Sequence, residues 1–151
     1  MKTQFDILKT SRQLALKAIN DLTLEQIHTI PDGFKNNIAW NVAHLVVTQQ
    51  LLQYKLSGLD CLVPDELIEL HRKGTFPTTT FTEDEFEEVT DLFAGLPDTL
   101  EEDFNEGIFE NYHAYETSTG FVLDTFEAAV NFNNYHEGIH LGIILALKKL
   151  V

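Results

Sequence analysis

The 151-residue sequence predicts an all-α fold built from four main helices, and three observations carry that prediction. Apolar residues recur at intervals of three and four along four long stretches, the period of a single helix face. Capping and breaking residues bracket those stretches, and no segment shows a convincing strand pattern. The last stretch also places two histidines, His136 and His140, in the stripe where a core-facing helix would carry Leu or Val. The length suits one domain over residues 1–151, and a hydrophobic fraction of 44% is that of a chain able to bury a core.

The first helix spans about residues 3–20, with Phe5, Leu8, Arg12, Ala15 and Ile19 on one stripe. Leu22 to Gly33 follows, and its Pro-Asp-Gly turn stops any helix before it. Glu25 and His28 in that segment have the Glu-x-x-His spacing of di-iron bundles, but they sit at a helix end and not on a long buried stripe. Asn36 and Asn37 can cap a second helix that runs to about Leu56 and closes at Ser57-Gly58. It is apolar nearly all round, which predicts the most buried helix, with His44 in its middle.

Leu59 to Thr80 is a long connection. It holds a short helix from Asp65 to Arg72 after Pro64, and His71 is expected at the surface. A connection this long frees the next helix to start at either end of the bundle. Thr82 with Glu85 makes a capping box and Phe81 with Phe86 a hydrophobic staple, so a third helix starts there. Its stripe Phe86, Val89, Phe93 and Leu96 is expected to break at Gly95-Leu96-Pro97, with a short helical piece resuming through Leu100 and Phe104. Asn105 to Gly120 is aromatic, turn-forming and without helical period, and is read as a lid near the site, with Tyr112, His113 and Tyr115 as its polar candidates. The fourth helix is expected from Phe121 to Leu150, with Lys148 and Lys149 opposite its C-terminal dipole.

Charge and cysteine usage narrow the function. The net charge is −14, no Lys or Arg lies between Lys73 and Lys148, and half of the 24 carboxylates lie between Glu83 and Glu110. Such a chain repels phosphate backbones, which argues against nucleic-acid binding. The acidic run reads as a solvated helix face. Cys61 is the only cysteine, so no internal disulfide forms, which suits a reducing cytoplasm. The N-terminus lacks the apolar run of a secretion signal, and no segment approaches the ~20 apolar residues of a membrane span, so a soluble cytoplasmic protein is expected.

His136 and His140 are one turn apart on one helix face, a spacing that grips a metal. They continue a stripe of Val122, Phe126, Ala129 and Asn133 that goes on to Ile144 and Leu147. Two imidazoles in a buried stripe need partners, since an unpaired buried polar group costs about 1–3 kcal/mol. His44 on the second helix is by itself more often a core histidine hydrogen-bonded to a neighbour, but beside this pair it becomes the candidate third ligand, since three histidines are what an open site needs. His113 is a possible fourth ligand, which would close the site into a structural one. Glu137 and Asn133 are candidates for a supporting group or base, although Glu137 points about 100° away from His136 on the helix.

His136-Glu137-Gly138-Ile139-His140 also spells the H-E-x-x-H of zinc peptidases. The extended form needs a glycine and a histidine downstream, where this chain has Ile143 and Ala146. Only eleven residues follow His140, so the third ligand lies upstream and the peptidase reading is disfavoured.

The segments Asn37-Ile38-Ala39-Trp40-Asn41-Val42-Ala43-His44-Leu45 and Asn134-Tyr135-His136-Glu137-Gly138-Ile139-His140-Leu141-Gly142 together resemble the DinB-like superfamily of metalloenzymes over essentially the whole chain. The resemblance implies an up-down-down-up four-helix bundle, often a homodimer. It further implies a divalent metal at one end held by three histidines, which correspond here to His44, His136 and His140. Characterised members include S-transferases that use bacillithiol or similar low-molecular-weight thiols, and a mycothiol-dependent isomerase. The sequence has no separate thiol-binding signature. The expected function is therefore a metal-dependent small-molecule transferase, with a thiol as the candidate co-substrate. Zinc or nickel is the favoured ion, and iron(II) and manganese(II) are compatible with imidazole ligands. The alternative is a non-catalytic bundle that binds a metal or small ligand.

Overall fold

The computed structural model describes all 151 residues, and its architecture is overwhelmingly helical. Six helices follow in order: α1 Lys2–Ile19, α2 Leu24–His28, α3 Ile38–Gln53, α4 Asp65–His71, α5 Glu83–Glu106 and α6 Phe126–Leu147. A small antiparallel ladder of β1 Tyr115–Glu116 and β2 Val122–Leu123 precedes α6.

The local signals act where the sequence places them. The Asn37 side chain accepts from the Trp40 N–H at 2.8 Å to start α3. Thr82 and Glu85 form the reciprocal box that starts α5. The α1 stripe of Phe5, Leu8, Arg12, Ala15 and Ile19 is buried as its spacing requires. Helix α3 is buried almost all round, His44 included.

Three expectations fail for physical reasons. The break at Gly95-Leu96-Pro97 does not occur, and α5 runs unbroken through Pro97. Proline cannot donate to the carbonyl four residues back, so the Phe93 carbonyl is freed. The Arg12 guanidinium on α1 donates to it at 3.0 Å, which offsets the missing helical bond. The last helix begins at Phe126 and not Phe121, because Phe121 belongs to a turn instead. The Phe121 N–H donates to the Thr117 hydroxyl and its carbonyl accepts from the Thr117 N–H, while Gly120 takes the positive φ of +85° that closes the turn. Val122 thus lies exposed in β2 and outside the core stripe. The third correction is His71, which is 5% exposed and not a surface residue. Its ring stacks on Phe81, with centroids 5.4 Å apart.

The long helices pack in a closed circuit: α1 on α5 and α6, and α3 on α5 and α6. Between α1 and α6 the contacts climb together, from Gln4–Asn134 through Arg12–Glu137 to Ala18–Lys148. Between α3 and α5 they also climb together, from Gln49–Leu96 to Tyr54–Asp103. Between α1 and α5 they run in opposite senses, from Phe5–Phe104 to Arg12–Phe93. Lys148 turns toward its neighbour and donates to the Ala18 carbonyl at the end of α1, so its charge serves α1 and not the terminus of its own helix. The main core joins Ile38, Val42 and Val46 of α3 to Phe93 and Ile144, each below 2% exposure, and burying each such side chain contributes about 1.5–3 kcal/mol.

Candidate metal centre

Helix α3 carries His44 near its middle, and the facing turns of α6 carry His136 and His140. The three rings meet with centroid separations of 4.5 Å between His136 and His140, 4.8 Å between His44 and His140, and 5.2 Å between His44 and His136. Each offers a ring nitrogen, and these three atoms lie within 4.8 Å of one another. No other group of three His, Cys, Asp or Glu side chains in the structure is arranged this way.

Hydrogen bonds on the far side of the rings decide which nitrogen faces the centre. The His44 Nδ1–H donates to the His71 carbonyl at 2.7 Å. The His140 Nδ1–H donates to the Asn41 Oδ1, also at 2.7 Å. Both acceptors fix the proton on Nδ1 and leave the Nε2 lone pair free, as ligand histidines require. Trp40 stacks on His44 at 4.6 Å and 10°, which holds the ring plane. The indole N–H is in turn satisfied by the Thr75 hydroxyl at 3.2 Å.

Burial keeps the three rings neutral. It pulls His140 down to about 3, with His136 and His44 adding their repulsion, and pulls His136 down to about 4, with His44 adding to it. Burial lowers His44 as well, against the His71 carbonyl, which favours its protonated form. At neutral pH all three imidazoles therefore present lone pairs and no charge.

These residues fit a divalent ion. The Nε2 atoms of His44 and His136 stand 3.3 Å apart, with the Thr48 hydroxyl also 3.3 Å from the former. Two nitrogens bound to one tetrahedral zinc at its usual bond length are about 3.3–3.4 Å apart, so the pair already has the spacing of two ligands. The His136 Nδ1 is buried without a hydrogen-bond partner. Its ring is held instead by stacking on Phe132 and by the contact with His44, with no hydrogen bond at its back nitrogen.

The remaining candidates from the sequence are not brought to this centre. Glu137 is 2% exposed and turned toward α1, where the Arg12 Nη2 donates to it at 2.7 Å and Nε at 3.1 Å. Burial pushes its carboxyl upward, and the guanidinium opposes that shift. Asn133 lies with it and donates to the same carboxylate at 3.5 Å. An H-E-x-x-H glutamate must reach the open side of the metal, and this one is committed to an ion pair on the other side of α6. His113 sits on an exposed loop, held by its backbone N–H to the Leu56 carbonyl and next to Gly58. Neither Glu137, Asn133 nor His113 lines the cleft above the histidines. Likewise His28 is no ligand, since its Nε2 accepts from the Phe81 N–H at 3.0 Å and its Nδ1–H donates to the Leu24 carbonyl.

Two residues that matter were missed. Asn41 is the one amide in the apolar first half of α3, one turn before His44, and that placement is the signal that marks it. For His71, the Leu67-Ile68-His71 spacing gives α4 a half-buried apolar stripe that ends in the buried His71.

The cleft has a volume of about 520 Å³ and opens between α3, α6 and the segment around Tyr115 to Thr119. Tyr115, Thr117, Ser118 and Thr119 line it, so the segment read as a lid does border the site. Tyr112 instead anchors that segment, its hydroxyl donating to the Leu52 carbonyl at 3.1 Å.

A comparison with curated proteins gives no match. Comparison with protein families matches residues 7–144 to the DinB superfamily, all but the first six and last seven residues of the chain. With a match of that extent, and with the three histidines gathered on α3 and α6 as the resemblance implies, the chain belongs to the DinB superfamily.

Proposed function

We propose that the protein is a divalent-metal-dependent enzyme acting on a small molecule, most closely an S-transferase that uses a low-molecular-weight thiol, with His44, His136 and His140 as its metal ligands. The convergence of three neutral imidazoles, two of them with Nδ1 protons fixed by His71 and Asn41, is the observation that carries this reading. Three neutral ligands leave the ion's charge uncompensated and a position open, so the ion lowers the pKa of a thiol or water placed there. The chain's own part is to hold the ligand lone pairs in place and to exclude bulk water with Trp40, Leu52 and Phe132 along the cleft. We take zinc or nickel as the first ions to test, with iron(II) and manganese(II) next, because imidazole ligands accept all four and metal supply decides among them.

The same reading takes the chain as one cytoplasmic domain and its long helices as a four-helix bundle of up-down-down-up order. The contacts that climb together between α1 and α6 and between α3 and α5 support that order. No helix is long and apolar enough to cross a membrane. A homodimer is the assembly we expect, and light scattering reads it directly. The deciding experiment is elemental analysis of purified wild type and His136→Ala. Near-stoichiometric metal that disappears in the variant supports the reading. No metal in wild type after exposure to Zn²⁺ or Ni²⁺ leaves the histidines as hydrogen-bonded residues of a ligand-binding bundle.

A further inference from the structure

The cleft over the histidines differs in charge from the rest of the molecule. The chain has 24 acidic residues, yet none of the 17 residues lining this cleft is Asp or Glu, while Lys55 and Lys73 both line it. Five of the ten Lys and Arg side chains are paired with a carboxylate, and of the five that are not, Lys17, Lys35, Lys55, Lys73 and Lys149, only Lys55 and Lys73 line the cleft. One comes from the 3-10 turn after α3 and the other from the loop after α4, so the two ends of the connection that holds α4 bring unpaired cations to one opening. An ammonium without a counter-charge adds nothing to the fold, and a net charge of −14 repels anions from most of the surface.

We propose that the cleft takes a small molecule with an oxyanion group at one end and an apolar body. Lys55 and Lys73 hold the oxyanion at the opening, and Trp40 and Phe132 receive the body. Apolar walls strengthen the two lysines' attraction relative to open solvent. The proposal names the substrate class for the site described above and rests on the metal reading only for the end of the molecule that faces the histidines.

Trp40 is the only tryptophan and lines the cleft, so its fluorescence reports occupancy. Hexanoate, its uncharged analogue hexanamide, and inorganic phosphate are titrated into wild type and the Lys55→Gln/Lys73→Gln variant, each metal-free and zinc-exposed. Hexanoate is expected to bind wild type about tenfold more tightly than hexanamide, with the preference shrinking at high salt and vanishing in the double variant. Phosphate displacing hexanoate at similar concentration assigns a phosphate-type end, and phosphate without effect assigns a carboxylate. Equal binding of acid and amide to wild type, no hexanoate binding tighter than about 10 mM, or a preference that survives in the double variant overturns the proposal. Zinc content measured on the same samples separates the two readings, because the lysine preference is expected in the metal-free protein even if no zinc is taken up.

Discussion

Asn41 and the His71 carbonyl hold two of the three imidazoles by their back nitrogens, so their effect on a metal is indirect and separable from the fold. Asn41→Ala frees the His140 ring to rotate and to exchange its Nδ1 and Nε2 protons. Metal affinity is expected to fall about 10- to 100-fold, read by competition with a chromogenic chelator, with the helical circular dichroism retained. The depressed pKa values of His136 and His140 give a second test. An unfolded histidine titrates near 6.5, so below that pH the unfolded chain binds protons that the folded metal-free protein refuses. Stability is therefore intact above about pH 6.5 and lost progressively as pH falls toward about 3. Urea denaturation of metal-free protein across that range is expected to show a flatter pH dependence for His136→Ala/His140→Ala than for wild type.

Arg12 links three helices: from α1 it donates to Glu137 on α6, to the Phe93 carbonyl on α5 and to the Leu45 carbonyl on α3. Every donor atom of its guanidinium is engaged, which is why a charged residue can occupy a core stripe at 1% exposure. Removing one member strands the other, so Arg12→Ala is expected to cost about 3–5 kcal/mol in chemical denaturation. Replacing both, as Arg12→Met with Glu137→Leu, is expected to cost much less than the sum of the two single changes. Metal content should survive in the folded fraction of either, because Glu137 faces away from the histidines. Pro97 belongs to the same arrangement. Pro97→Ala supplies the missing N–H to the Phe93 carbonyl, so the Arg12→Ala penalty is expected to shrink in that background, in a double-mutant cycle read by urea denaturation.

Across the whole molecule the three-histidine cluster joins α3 to α6, which are far apart in the chain and pack against each other. An ion that binds only the folded state stabilises it by about 2.7 kcal/mol at a hundredfold excess over Kd. For a protein of this length that corresponds to a rise in melting temperature of roughly 5–10 °C. Calorimetry with and without Zn²⁺ checks it, and His136→Ala is expected to lose the shift.

The four long helices, the caps at Asn37 and Thr82, and the His136 and His140 pair are legible in the sequence, because each depends on residues within one or two turns, whereas His44 gains its candidacy only from that pair on another helix and from the family resemblance. Spacing of three or four puts side chains on one face whatever surrounds the helix, and a capping hydroxyl reaches only the next turn. Fate across the chain is different. Glu137 is a candidate supporting group or base until Arg12, 125 positions away, claims it. His71 looks exposed until its carbonyl meets His44, 27 positions back, and Pro97 looks like a break until Arg12 reaches the carbonyl it frees. Propensity weighs a residue against its neighbours in sequence, whereas a buried donor or acceptor is decided by whichever partner the packed helices bring within 3 Å. The tertiary structure alone could therefore decide which polar residues gather in the histidine cluster, which are held in the core, and that Lys55 and Lys73 stand at one cleft.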